Sequence, residues 1–229
     1  IKSGAVQGVV LVSGLTLSSP SVVLTCGTFL SGLIHIGNKK IPAGRMGELH
    51  SGGITQSLVS EGFQAGRLKT GTPPRLKGST VDWKKCKKIE GDREPVPFSH
   101  FTKNFSPPNI PCFQTKTNER SHDIIRKNIS LSPMFSGDIG GVGPRYCPSI
   151  EDKVYRFSDK SEHFLHLEPE WLGSDQIYLN GFSTSLPEKD QLKSLRKVSG
   201  LEAVDFFRPG YAIEYDFFPP SQLKSTLET

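Results

Sequence analysis

No stretch of this sequence approaches the ~20 consecutive apolar residues that a membrane-spanning helix requires, so no membrane partner is expected. Metal-ligand spacing is missing too. The four cysteines, Cys26, Cys86, Cys112 and Cys147, form no CxxC pair, and no histidine stands at a zinc-ligand offset from any of them. That argues against structural zinc, and no metal site is expected. Four cysteines in 229 residues are also poor material for a disulfide scaffold, so reduced thiols in a cytosolic or organelle-matrix compartment are the simpler reading. Strong charge of one sign is absent: 28 Lys and Arg against 23 Asp and Glu leave a net +5, which permits a nucleic-acid partner without indicating one. No internal repeat is found. An initiator methionine and a leader are lacking before Ile1, and the last four residues carry no stop signal, so an internal piece of a longer chain is expected.

What is plentiful is glycine and proline, 23 and 17 residues, above average usage and pointing to functional turns. Hydrophobic residues at 35% and charged residues at 22% suit a folded chain rather than a disordered one. Residues 5–12 read as a strand, Ser13-Gly14 as a turn and residues 15–17 as a return strand. Residues 21–25 read as a buried strand running into Cys26-Gly27-Thr28. A strand ending in a Gly-Thr turn is how open α/β sheets present a ligand site; the plain alternative is a hairpin with a core strand. Residues 42–52 form a glycine-rich loop, and Ile54, Leu58, Val59 and Phe63 recur at helical spacing, predicting a helix from near Gly53. Such a loop before a helix suits phosphate, although many bind nothing.

Residues 66–75 hold Arg67, Lys69, Arg75 and a Pro pair, reading either as a rigid basic clamp for phosphate or RNA or as a solvated turn. Residues 76–118 look irregular, and the basic run at 84–88 reads as a solvated face. A helix over 118–128 is capped by Asn118, with His122 and Asp123 near its first turn. Residues 163–168, 204–207 and 211–215 read as strands, and 188–199 as a helix.

Residues 140–157 are the most informative. Gly140, Gly141 and Gly143 allow close backbone approach. Arg145 and Lys153 supply positive charge near Cys147, which lowers a thiol pKa and makes a covalent nucleophile. The alternative is a small buried hydrophobe.

Five segments, in order, resemble one family: Val-Val-Leu-Thr-Cys-Gly-Thr-Phe-Leu, Pro-Ala-Gly-Arg-Met-Gly-Glu, Gly-Arg-Leu-Lys-Thr-Gly-Thr-Pro-Pro-Arg, Gly-Pro-Arg-Tyr-Cys-Pro-Ser-Ile-Glu-Asp-Lys and Arg-Pro-Gly-Tyr-Ala-Ile-Glu-Tyr-Asp. Together they resemble the MnmG/GidA family of tRNA uridine 5-carboxymethylaminomethyl-modifying flavoproteins. The resemblance covers nearly the whole chain and is weakest between about 77 and 110.

It implies an α/β fold, part of a Rossmann-like FAD/NAD(P)-binding domain. Residues 1–75 belong to the FAD-binding part, 76–139 form an inserted α+β module, and 140–229 return to the FAD-binding part with the nicotinamide and substrate segment. The implied activity is FAD-dependent modification of the tRNA wobble uridine at C5, adding a carboxymethylaminomethyl or, in mitochondria, a taurinomethyl group. Methylenetetrahydrofolate is the carbon donor and NADH reduces the flavin. The implied partners are tRNA, a GTPase of the MnmE type and a second copy in a homodimer. The implied compartment is the mitochondrial matrix in a eukaryote and the cytoplasm in a bacterium.

Carried over by position, Cys147, Arg145, Lys153 and Asp123 are catalytic. Thr25, Cys26, Gly27 and Ser51 lie near the flavin, and Gly143, Pro144, Tyr146, Pro148 and Ser149 belong to the nicotinamide-dinucleotide segment. The GxGxxG fingerprint belongs before Ile1 and the helical tRNA- and GTPase-binding part after Thr229. Gly140 stands where the family has Glu, and Leu179 where it has Pro. This piece alone is expected to bind flavin poorly and not to turn over; a non-catalytic tRNA-binding module is the other reading.

Overall fold

The computed structural model describes residues 1–140, 143 and 148–229. In chain order the elements are β1 (Gly8–Val10), β2 (Thr16–Ser18), β3 (Leu30–Ile36), β4 (Lys39–Pro42), α1 (Ile54–Ser60), β5 (Gly66–Thr72), β6 (Arg75–Lys77), β7 (Lys87–Ile89), β8 (Cys112–Lys116), α2 (Glu119–Lys127), α3 (Pro133–Ser136), α4 (Ile150–Arg156), β9 (Phe164–Pro169), β10 (Gln176–Asn180), α5 (Glu188–Leu195), β11 (Phe206–Arg208) and β12 (Tyr211–Phe217). Helices and strands mix along the chain, as expected for α/β. The strands form a hairpin β1-β2, a sheet ordered β11-β6-β10-β9-β8-β7 and a sheet ordered β4-β3-β12-β5. Ladders between these strands are antiparallel.

The larger core lies between the six-stranded sheet and α2, α4 and α5. Leu76, Leu165, Leu167, Ile177 and Leu179 point from the strands, and Ile125, Ile150, Val154 and Leu195 meet them from the helices. Helix α2 starts where expected. The Asn118 side chain accepts from Ser121 N, and the Ser121 hydroxyl accepts from Asn118 N at 3.0 Å, so two otherwise orphaned donors are satisfied together. A smaller core of Ile34, Ile36, Ala43 and Ile213 sits on the four-stranded sheet.

Two glycines allow close packing around the four-stranded sheet. Gly37, in the β3-β4 turn, donates its N–H to Ser185 O at 2.7 Å, and a Cβ there would fall 2.7 Å from the Pro187 ring. Gly210, just before β12, leaves no room either: a Cβ would lie 2.9 Å from Thr72 O. Both are close approaches of two backbones, which only glycine permits.

Several expectations are corrected. Residues 21–25 form no strand, and Val23 and Leu24 are 84% and 53% exposed, because no described strand lies beside them. The first strand is shorter than expected, Gly8–Val10. Residues 66–75 are not a loop: they are β5 and the start of β6, broken at Pro73-Pro74, where the chain passes from one sheet to the other. Within 76–118, expected to be irregular, β6, β7 and β8 belong to the six-stranded sheet. That sheet takes its other strands from residues 164–208. Helix α5 ends at Leu195, short of 199. The hairpin β3-β4, helix α4 and strand β10 were not anticipated. No described helix is long and apolar enough to cross a membrane.

Candidate functional site

Two of the segments expected near a flavin meet at the start of β3. Thr25, Cys26 and Gly27 lead into it, and the carbonyl of Ser51 accepts from Ser31 N at 2.8 Å. The side chains of Thr25 and Ser51 are exposed and Cys26 is half-buried. Gly27, Gly47 and Gly53 have positive φ and nothing within 4 Å of an added Cβ, so the backbone here borders open space.

Beneath this edge lies a charged network. Arg67 donates from Nη1 to Ser31 O (3.1 Å) and to Asp216 Oδ1 (2.8 Å), and its Nη2 lies 3.4 Å from Glu214 Oε2. Glu214 Oε1 in turn meets Nε2 of the fully buried His35 at 3.0 Å. Burial pushes the Asp216 carboxyl up, but hydrogen bonds from Ser31 and Arg67 outweigh it and hold the group below the usual carboxylate range. The other cations of residues 66–75 are tethered as well, Lys69 to Met134 O at 3.3 Å and Arg75 to Glu170 at 2.6 Å. The free basic clamp is therefore corrected to a set of internal struts. In the run at 84–88, Lys85 pairs with Glu202 and Asp82, Lys88 with Glu90, and Cys86 is buried.

The second group of expected residues sits on α4. Ser149 caps the helix: its hydroxyl accepts from Asp152 N at 3.1 Å while Asp152 Oδ2 accepts from Ser149 N at 3.1 Å. Ile150 N donates to Ser183 O at 2.7 Å, and Lys153 Nζ to Gly181 O at 3.1 Å. Pro148 and Gly143 are exposed, and Ser149 is buried. Asp123 lies on α2, which packs against α4, and pairs with Arg126 at 3.0 Å on the helix surface. Cys147, Arg145, Pro144 and Tyr146 lie outside the described residues. Among the described residues no cluster of three or more His, Cys, Asp or Glu is arranged to hold a metal.

Sequence reasoning missed Glu151. It is completely buried, and its Oε1 accepts from Ser132 Oγ, Thr184 Oγ1 and Ser185 N, each at 3.0 Å, while Oε2 has no partner. Burial pushes its carboxyl above the usual range, against those hydrogen bonds. The signal was the Ser149–Asp152 spacing, which marks a helix start and puts Glu151 on its buried side.

A histidine pair was missed too, His122 buried and His163 half-buried. The rings of His122 and His163 stand 5.3 Å apart, and His122 Nε2 lies 2.7 Å from Thr117 Oγ1. His122 Nδ1 and His163 Nε2 have no hydrogen-bond partner. Burial lowers both pKa values; Arg126 adds to this at His122, against Glu119 and Asp123, and Lys153 and Lys160 add to it at His163. Groups held neutral in this way stabilise the fold above the usual histidine pKa of about 6.5, and lose that contribution as pH falls below it. Amide exchange in the full-length protein, corrected for intrinsic rates, is therefore expected to show less protection in α2 at pH 5.5 than at pH 7.5. Equal protection would contradict the argument.

Residues 1–229 match the model of a family described as glucose inhibited division protein A, GidA. The chain belongs to the GidA family. This GidA chain is 54% identical, over 231 residues, to the tRNA uridine 5-carboxymethylaminomethyl modification enzyme MnmG of Flavobacterium johnsoniae. The match takes in all of this chain and 37% of that protein. The MnmG of Chlorobium phaeobacteroides is 53% identical with the same coverage. Among solved structures, Aquifex aeolicus GidA in its form I crystal superimposes with a TM-score of 0.91 at 44% identity, over the whole of this chain and 39% of that one. The GidA chain described here thus spans a little over a third of the relatives it matches, and its mixed α/β fold is theirs.

Proposed function

We propose that the full-length protein containing these residues is an FAD-dependent enzyme that modifies the wobble uridine of tRNA at C5, attaching a carboxymethylaminomethyl or taurinomethyl group. Methylenetetrahydrofolate supplies the carbon and NADH the reducing equivalents. The enzyme works as a homodimer with a GTPase of the MnmE type, in the bacterial cytoplasm or the mitochondrial matrix. The observation that carries this reading is the match of residues 1–229 to relatives named for that uridine modification, at about half identity without loss of the fold.

The donor chemistry at the start of β3 suits a flavin. Two exposed hydroxyls, Thr25 and Ser51, and the open backbone at Gly27 and Gly53 offer hydrogen bonds to a polar ligand edge, and Thr25, Cys26, Gly27 and Ser51 would hold it. FAD, when bound, supplies redox chemistry that no side chain here can. The chain's own residues orient and carry protons. Arg67, Glu214 and Asp216 keep β3, β5 and β12 in register beneath that edge. Ser149, its hydroxyl committed to Asp152, acts by fixing the start of α4, and the nicotinamide-dinucleotide segment is Gly143, Pro144, Tyr146, Pro148 and Ser149. Asp123, Arg145 and Lys153 remain with Cys147 as the proposed catalytic set.

Disruption of the gene tests the reading. Nucleosides from digested tRNA are expected to lose the C5-substituted uridine by mass spectrometry and to regain it when the full-length gene is restored. An unchanged nucleoside profile would overturn it.

A further inference from the structure

A cleft of about 460 Å3 opens where the two sheets meet, lined chiefly by Arg45, Glu48, Arg75, Glu170, Arg208 and Tyr211. Arg75, Arg208 and Tyr211 come from the two segments that pass between the sheets, Thr72-Pro73-Pro74-Arg75 and Arg208-Pro209-Gly210-Tyr211. Prolines stiffen both segments, and Gln191 clamps the second, donating to Gly210 O (2.8 Å) and Leu186 O (2.7 Å) and accepting from Gly210 N (2.8 Å). A site held so firmly loses little entropy when it orders a ligand.

The charges in the cleft do not balance. Arg75 is engaged at Nε and Nη1: Nε donates to Glu170 at 2.6 Å, Nη1 donates to Thr72 Oγ1 and Pro73 O, and the guanidinium lies 4.5 Å from the centroid of the Tyr178 ring. Gln176 also donates to Glu170. The same carboxylate is the only acid near Arg208 among the recorded ion pairs of the described residues, at 3.8 Å, beyond hydrogen-bond distance, and Arg208 Nε is buried with no partner. Burial raises the Glu170 pKa but Arg75 and Gln176 outweigh it, so the carboxyl stays ionised and committed to Arg75. Arg45, on the rim, is 4.0 Å from Glu48 with both side chains exposed. Tyr211 Oη accepts from Met46 N at 3.4 Å, which leaves its own O–H to donate. The cleft therefore has donors and cations in excess of acceptors, the deficit that an oxyanion fills.

We propose that this cleft binds a phosphate group, with Arg208 and Tyr211 as contacts, Arg75 as a positioning residue and Glu170 as the competing acceptor. The phosphate belongs either to the tRNA backbone or to a nucleotide cofactor, a choice that rests on the tRNA-modifying reading. Phosphate binding itself does not.

The test uses full-length protein with Arg208→Gln, Tyr211→Phe and Glu170→Gln. Inorganic pyrophosphate, titrated by calorimetry, is the probe that is independent of source: Arg208→Gln is expected to weaken it about tenfold, as loss of a charge-assisted hydrogen bond does. Tyr211→Phe should weaken it less. Glu170→Gln, by removing the competing carboxylate, should tighten it, the opposite of what structural damage would do. If the source is tRNA, Arg208→Gln also lowers the slope of log affinity against log salt by about one. If it is a nucleotide, the KM for NADH rises and tRNA binding is unchanged. Pyrophosphate binding that ignores Arg208→Gln, or that weakens in both Arg208→Gln and Glu170→Gln, overturns the proposal. Wild-type protein that binds pyrophosphate through Arg208 yet neither binds nor modifies tRNA would sink the functional reading and leave the phosphate site standing.

Discussion

Replacing Glu151 by alanine is expected to destabilise the protein by about 2–4 kcal/mol, whereas glutamine retains most of the stability. The carboxyl is the common acceptor for Ser132 Oγ, Thr184 Oγ1 and Ser185 N. Ser185 Oγ in turn bridges Ser132 Oγ at 2.8 Å and accepts from Met134 N at 3.3 Å. Removing the acceptor leaves three buried donors, from two segments, without their partner, and Ser185 is also where the β3-β4 turn is anchored through Gly37. Glutamine keeps the accepting oxygen and carries no charge.

The pH dependence has a definite sign. Burial raises the Glu151 pKa, so the folded state holds this proton more tightly than the unfolded chain does. Its contribution is present at low pH and is lost as pH rises from the ordinary carboxylate value through the folded one. Above that window the wild type bears the cost of a buried carboxylate and Glu151→Gln does not. Thermal midpoints of the full-length protein should therefore rank glutamine level with or above glutamate at pH 8, with alanine lowest by several degrees at every pH. An alanine variant that melts with the wild type would refute the account.

Local grammar was legible in the sequence and distant partnership was not. Asn118 announced α2 because its capping partner Ser121 is three residues away. The 66–75 segment misled because its cations read as solvated until their partners are known. Arg67 is neutralised by Asp216, directly opposite it on β12, and Arg75 by Glu170 after a separation of 95 residues. An apolar run has the same ambiguity: residues 21–25 look like a core strand, but no described strand pairs with them. The β3-β4 hairpin did carry a local mark, Gly37-Asn38 between an apolar strand and a short return, and it was passed over. At the site, ordered motifs pointed to Thr25–Gly27 and Ser51, which the fold gathers at one end of β3. Glu151 and the histidine pair gain their character only from burial, which no residue type announces by itself.

On the proposed function, replacing Cys147 by serine in the full-length protein is expected to abolish C5 modification while leaving the fold intact. Cys147 lies outside the described residues, so the argument is chemical. Pyrimidine C5 is a poor nucleophile until electron density is pushed into the ring. A thiolate that adds to C6 forms an S–C6 bond and moves the C5–C6 electron pair onto C5 and the conjugated carbonyl; C5 then attacks the electrophilic carbon. Loss of the C5 proton and elimination of the thiolate restore the ring and free the cysteine. Serine cannot replace it, because an alcohol is not ionised near neutrality, whereas a cysteine thiol reaches its nucleophilic thiolate far more readily. Lys153 itself is steadied by Gly181 O, and the start of α4 by the Ser149–Asp152 box, so the residues that follow Cys147 are anchored. The measurement is the nucleoside composition of tRNA from cells carrying only Cys147→Ser protein, with the flavin absorbance of the purified variant as the check on folding. Wild-type levels of the modified uridine would remove Cys147 from the mechanism. Loss of the modification with the flavin spectrum unchanged is the expected result, and it would separate a chemical role for the thiol from a packing one.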